Sequence, residues 1–342
     1  MSSRSIGPGD LDLLAGALGS LSDGGKEPVR VVSTTVLGEG VHRIELTGSD
    51  RPSVVVKRLR STRARREQRV TDRWLPGVGL DGLGPPRLST VAEPDGAFVW
   101  HVYGDLGARG LDRPDVNAGT VDLAMCRLAD LHARFAGHLL LPEVRFAAGD
   151  LGAYFWTRSV RDALATVDRL RPPHLDPSPE DAATRDGVLA RLQTLRDDEP
   201  ARVRLLEERA GPETLVHGDL TRANVFVLDG AVRLIDWDHV GVAPAAFDLS
   251  THVAYYPPAL RRVVVDRYTA AMAVRGFPFR ADVVWDLLVG SFEAGRLANQ
   301  LIWLAISILE GTEATFERLA GWGQALAAAV DPTVSVGSGG AP

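Results

Sequence analysis

The sequence predicts an α+β chain of two lobes, an N-terminal antiparallel β-sheet lobe followed by a mostly helical C-terminal lobe. Three observations predict it. β-branched and apolar residues crowd the segments VRVVSTTVL, VHRIELTG and SVVVKRL between 29 and 59, with turn residues between them, the pattern of hairpin-linked strands. From about residue 117 the apolar spacing changes to the three- and four-residue steps of helices. With 342 residues, 45% of them hydrophobic, the chain can bury two separate cores.

In order, the chain divides into an N-terminal helical extension over 1–24, the sheet lobe over 25–104, the helical lobe over 105–332 and a flexible tail over 333–342. PGDLDLLAGALGSL (8–21) reads as a short amphipathic helix with Asp10 as N-cap, and 22–29 as linker. The LGEGV turn after the first strand holds Gly38 and Gly40. TRARREQRVTDRWL (62–75) reads as a helix whose arginines form a solvated face. After the turn-rich PGVGLDGLGPP, RLSTVAE and AFVWHVYGDLG read as two more strands. In DLAMCRLADLHARFAGH, Leu123, Leu128, Leu131 and Phe135 share a helical face. RPPHLDPSPED (171–181) is a proline-rich loop, and helices follow to the segment at 217; everything after 238 reads as helical. Trp156, Trp285 and Trp303 are expected in the helical core rather than lining a pocket.

Composition excludes some classes. A net charge of −6 argues against nucleic acid as partner. No apolar run of membrane-spanning length is present, and MSSRSIGPGD lacks the apolar centre of a secretion signal. The single cysteine, Cys126, cannot form an intrachain disulfide and is expected buried as a small hydrophobe. A cytoplasmic location fits these features, and the oligomeric state is left open.

Lysine usage is more telling. Of 38 basic residues only Lys26 and Lys57 are lysine. Lys26 falls in the polar GGKEP and is expected at the surface. Lys57 ends the β-branched strand SVVVK, where an arginine-saturated chain has kept a compact ammonium in place of a planar fork. Phosphate oxygens are a partner that such a point charge suits. Glu67 in the following helix is the favoured partner of Lys57, with Asp72 also in reach; pairing of Glu67 with Arg63 or Arg66 is the alternative.

The densest signal is HGDLTRANVFVLDGAVRLIDWD, His217 to Asp238. Two apolar runs flank Asp229-Gly230, a strong two-residue hairpin signal because both turn positions need φ > 0. That turn sets Asn224 opposite Ile235 and brings Asp236 out beside Asn224, with Asp219 one short loop upstream. Oxygen side chains grouped this way suit a divalent metal with a spare carboxylate, the equipment of phosphoryl transfer.

At these residues the chain resembles the aminoglycoside phosphotransferase and choline kinase family, the small-molecule branch of the protein-kinase-like fold. The family pattern H-G-D-[LIF]-x-x-x-N, a short hairpin and I-D-[WF]-[DE] is met by HGDLTRAN and IDWD. The resemblance implies a bilobal kinase-like fold, Mg²⁺ and ATP (or GTP) as cofactors, and a small-molecule hydroxyl as acceptor. It implies Asp219 as catalytic base, Asn224 and Asp236 as metal ligands, and His217 as a brace of the loop. Lys57, held by Glu67, would grip the nucleotide phosphates, and the Gly38–Gly40 turn would cover them. The purine-reading hinge would centre on Tyr103, give or take two residues. Asp248 in FDLS and His132 match positions common to the family and are expected to be structural.

No activation segment closing in A-P-E follows the metal aspartate, and the loop reads HGD rather than HRD, which argues against a protein substrate. Residues 105–332 hold 32 acids against 24 arginines, a balance suited to a cationic acceptor. The richness in Ala, Arg and Gly points to a high-GC bacterial gene, so an antibiotic of aminoglycoside, nucleoside or peptide type is the favoured acceptor. A metabolic kinase acting on choline, a sugar or a hydroxy amino acid is the alternative, and a nucleotide-binding pseudokinase a remote one.

Overall fold

A computed structural model describes residues 6–22, 28–108, 110–113, 116–312 and 314–330. Lys26 and the tail at 333–342 lie outside the described residues. The chain forms two compact units: Met1–Ala124 with Arg222–His239, and Met125–Thr221 with Val240–Pro342. Among the described residues no helix is long and apolar enough to cross a membrane.

The first unit opens with helix α1 (Pro8–Gly19), then strands β1 (Arg30–Gly38), β2 (Val41–Thr47) and β3 (Ser53–Arg60). Helix α2 (Ser61–Arg69) runs on through a π-turn at Val70–Trp74 into the short α3 (Leu75–Gly77), followed by β4 (Arg87–Ala92) and β5 (Phe98–Gly104). The strands form one antiparallel sheet in the order β1-β2-β3-β5-β4. Alternation along a strand sends successive side chains to opposite faces. Ile44, Leu46, Val54, Val56, Trp100 and Val102 meet Leu14 and Leu18 of α1 on one face, and this is the unit's core. Lys57 and its cross-strand partner His101 point to the other face. Asp10 is not the N-cap of α1: Gly7 occupies that position, Pro8 starts the helix, and Asp10 reaches back to accept the Gly7 N–H at 2.9 Å.

Helix α4 (Ala118–Phe135) crosses from the first unit into the second. The second unit continues with α5 (Leu141–Ala148), α6 (Ala153–Asp168), α7 (Pro179–Asp197), α8 (Glu199–Arg209) and β6 (Glu213–Val216). The chain then returns to the first unit for the hairpin β7 (Val225–Leu228) and β8 (Ala231–Leu234). The second unit resumes with β9 (Gly241–Pro244), α9 (Ala246–Ala254), α10 (Pro258–Val274), α11 (Trp285–Leu309) and α12 (Phe316–Val330). β9 corrects the all-helical expectation after 238: its short apolar run pairs antiparallel with β6.

The second core gathers α6, α7, α11 and α12 around Trp156, which is 1% exposed and donates its indole N–H to the Ser291 carbonyl at 2.8 Å. Gly295 makes this contact possible, since a Cβ there would fall 2.6 Å from the Trp156 ring. Trp285 packs at the edge of that core, whereas Trp303 departs from expectation at 61% exposure. Cys126 is exposed as well. It sits on the outward phase of α4, between the buried Met125 and Leu128, so helical rotation overrides its apolar context.

Candidate active site

The hairpin forms as its turn residues require. Asp229 and Gly230 adopt φ of 49° and 80°, Leu228 faces Ala231, and Val225 faces Leu234. One residue beyond the ladder, the Ile235 N–H donates to the Asn224 carbonyl at 3.0 Å, so Asn224 and Asp236 leave the same end of the hairpin. Asn224 is buried, and Asp236 stands in the left-handed region at φ 64°. Few non-glycine residues other than Asn and Asp adopt that conformation, and strain of this kind gathers at functional positions.

Lys57 reaches this end of the hairpin from β3. Its ammonium donates to Glu67 Oε1 at 2.6 Å, Asp236 Oδ1 at 2.6 Å and Asp238 Oδ1 at 3.1 Å. Burial opposes the charge of Lys57, but Glu67, Asp236 and Asp238 outweigh it and hold the ammonium above its usual pKa. Burial likewise works against the Glu67 carboxylate, yet hydrogen bonding from His101 and the charge of Lys57 keep it below the usual carboxylate range. Asp238 goes the other way: burial and its hydrogen bond to Glu67 push it up to about 7 despite Lys57. Asp72, the other acid considered for Lys57, pairs instead with Arg87.

Two residues of this cluster were not singled out in the sequence. Asp238 offers a third carboxylate, and Arg66 of α2 donates to its backbone carbonyl at 2.8 Å while Arg63 lies 3.4 Å from its carboxylate. These two arginines thus depart from a purely solvated face. His101, fully buried, lies 2.8 Å from the Tyr103 hydroxyl, which donates to Glu67 Oε2 at 2.6 Å. The spacing of His101 from Tyr103 on one strand was the available signal, because both side chains must share the face of Lys57.

Tyr103 lies within the sheet, registered against Val55 on one side and Arg87 on the other. Beyond it, Asp105 fixes the end of β5 by accepting from Arg43 at 2.6 Å, Ser53 at 2.7 Å and the Gly107 N–H at 2.8 Å. Gly40 sits at the β1–β2 turn with φ 67°, and its carbonyl accepts the Arg58 N–H at 2.8 Å. Gly38 has open space where a Cβ would stand.

Asp219 belongs to the second unit, in the loop after β6. The fully buried Asp248 of α9 holds that loop, accepting the N–H of His217 at 2.6 Å and of Gly218 at 2.9 Å. His132 adds a contact to the same carboxylate at 3.2 Å. Burial alone would raise Asp248, but His132 and the His217 backbone bring it below the usual range. His217 Nδ1 accepts the Asp219 N–H at 3.3 Å.

In comparison with known proteins, the model of the phosphotransferase enzyme family matches residues 35–282. The structure is similar to that of the amicoumacin kinase hAmiN in complex with AMP-PNP, Ca²⁺ and Ami, at 16% identity and a TM-score of 0.59, covering 96% of this chain and 95% of that one. It is also similar to Plasmodium vivax ethanolamine kinase, at 14% identity and a TM-score of 0.58, covering 92% and 85%. A third similar structure is the macrolide 2′-phosphotransferase MphH from Brachybacterium faecium, at 19% identity and a TM-score of 0.53, covering 94% and 97%. A search of curated proteins found no match. At these identities the structures speak for the fold, and the family match covers most of the chain: it belongs to the phosphotransferase enzyme family and has the protein-kinase-like fold.

Proposed function

We propose that this chain is a kinase that transfers the γ-phosphoryl group of ATP or GTP to a hydroxyl of a small molecule, with an antibiotic as the favoured acceptor. The observation that carries the reading is the lone strand lysine, Lys57, gripped by Glu67 and facing Asp236 and Asp238. A cation held at such a place grips phosphate oxygens, and the carboxylates beside it suit a hard divalent ion.

The donor set fits Mg²⁺. Oxygens of Glu67, Asp236 and Asp238 all lie within 4.8 Å of one another, and Asn224 leaves the hairpin at the same end as Asp236. Asp236 and Asn224 would hold the ion, with Asp238 beside them; bound there, Mg²⁺ neutralises charge on the phosphate oxygens. Glu67 keeps Lys57 extended, so the ammonium is aimed before nucleotide arrives. The Gly38–Gly40 turn offers backbone N–H groups to the phosphates. The base-reading backbone is proposed around Tyr103, give or take two residues, and the register of Tyr103 within the sheet supports the side toward Asp105. Asp219 orients the acceptor hydroxyl and takes its proton late in the transfer, while positioning and electrostatics supply most of the rate.

The acid surplus of residues 105–332 suits a cationic acceptor. Kinases of amicoumacin and of ethanolamine both stand among the similar structures, which keeps a metabolic amino-alcohol kinase as the second reading. A coupled nucleotide-turnover screen separates the two. The protein is given Mg-ATP or Mg-GTP with aminoglycoside, nucleoside and peptide antibiotics, choline, ethanolamine and sugars, with Asp219→Asn as control. Stimulation by one antibiotic class, lost in the variant, supports the favoured reading. Stimulation by a common metabolite alone moves the enzyme into metabolism. Nucleotide binding without turnover across the panel leaves an acceptor outside the panel or the nucleotide-binding pseudokinase.

A further inference from the structure

Within its own unit Asp219 is flanked by two struts of the same construction. On the N-terminal side, the Asp248 carboxylate that holds the His217 and Gly218 N–H groups is met by His132 Nε2 at 3.2 Å. Nδ1 of the same ring lies 2.6 Å from the hydroxyl of Tyr268, a fully buried residue of α10. On the C-terminal side, His252 Nδ1 lies 3.2 Å from the Leu220 carbonyl oxygen, and its Nε2 lies 3.3 Å from the Tyr256 hydroxyl. Both imidazoles are fully buried, and each stands between a phenol and the loop.

The chemistry of the end groups sets the direction of each chain. The Leu220 carbonyl can only accept, so His252 carries its proton on Nδ1. A neutral ring then has its lone pair on Nε2, which accepts from the Tyr256 O–H. An ionised Asp248 can only accept as well, so His132 carries its proton on Nε2 and accepts from Tyr268 at Nδ1. The two histidines are therefore opposite tautomers, each set by its acceptor-only end group, and in each a phenol donates to the ring nitrogen left with the lone pair. Without that phenol the buried ring nitrogen loses its donor, and the ring can turn toward another partner and release the loop.

We infer that Tyr268 and Tyr256 are positioning residues of the phosphoryl-transfer step: each donates to the free ring nitrogen of its histidine and holds that ring in place, and the two histidines hold the backbone on both sides of Asp219, setting where its carboxylate points. The inference rests on the reading of Asp219 as the base.

The test uses the full chain with ¹⁵N-labelled histidine. Near neutral pH, His132 is expected as the Nε2–H form and His252 as the Nδ1–H form. Tyr268→Phe should disturb the His132 signals alone, and Tyr256→Phe those of His252 alone. Turnover of Mg-ATP, with the acceptor found by the screen or with water, should fall about tenfold in each variant while the nucleotide KM stays within about twofold. Tyr154→Phe, on the exposed side of α6, should leave both unchanged. His132 found as the Nδ1–H form or His252 as the Nε2–H form in the unsubstituted protein, or kcat unmoved by both substitutions, would overturn the inference. If Tyr268→Phe does not fold, Tyr256→Phe and the unsubstituted spectra decide it. Turnover indifferent to Asp219→Asn overturns the base assignment beneath it, and the tautomer spectra tell that failure apart.

Discussion

Asp238 and Asp248 are near neighbours in sequence, both are largely out of solvent, and their carboxyl groups shift in opposite directions. Burial raises both. Asp238 then meets another acid, Glu67, and stays high; Asp248 meets the N–H groups of His217 and Gly218 and the ring of His132, and comes down. The first region is an assembly of charges, one ammonium shared by three carboxylates, which can exchange partners when a cation or phosphate enters. The second is an assembly of donors fixed around one anion, with nothing to exchange. One unit is equipped to take up ligand charge; the other holds a backbone still.

The sharpest way to separate the two regions is Asp219→Asn. It should lower kcat by about three orders of magnitude and leave nucleotide affinity, measured by calorimetry, almost untouched. An equal loss of nucleotide binding would mean that the regions are not separable. Asp248→Asn should come next, lowering unfolding stability in urea by about 3 kcal/mol, because an amide presents a donor to backbone N–H groups that need an acceptor. The wild-type protein should show the related acid sensitivity. A carboxyl whose folded pKa is depressed contributes stability above its unfolded value of about 4, and that contribution is lost as pH falls further toward the folded value. Urea midpoints measured from pH 7 downward check the sign.

Lys57→Arg tests the exchangeable cluster. A planar fork cannot serve three acids grouped around one nitrogen, and we expect kcat/KM for nucleotide to fall about 100-fold with little change in Tm. Full activity would show that any cation suffices there. The smallest effect is expected from Gly230→Ala, about 1 kcal/mol, because φ 80° at the hairpin turn strains any L side chain. It should loosen Asn224 and Asp236 together and leave the Asp248 region as it was.

Much of the fold was legible because its signals are local. Asp229-Gly230 dictates a two-residue turn, and the turn alone determines which residues leave the hairpin together. The isolation of Lys57 among arginines marks the strand whose lysine meets Glu67, Asp236 and Asp238. What escaped depends on how elements pack. That β4 returns on the far side of β5, enclosing Tyr103 between two neighbours, follows from sheet order rather than strand pattern. Cys126 faces outward by a few tens of degrees of helical phase, which an apolar context does not reveal. The four residues of β9 are too few to tell a strand from a helix by periodicity. His252 and Tyr256 stand four residues apart in the sequence, a legible spacing, but nothing in it says that the ring turns to the Leu220 carbonyl.

The left-handed backbone of Asp236 has a consequence for how this gene can vary. Glycine and asparagine accept that conformation readily but carry no charge, while glutamate carries the charge but strains the backbone. No single substitution preserves both properties. Amino-acid replacement at this position therefore has no neutral step, and a descendant that relaxes it gives up either the conformation or the anion.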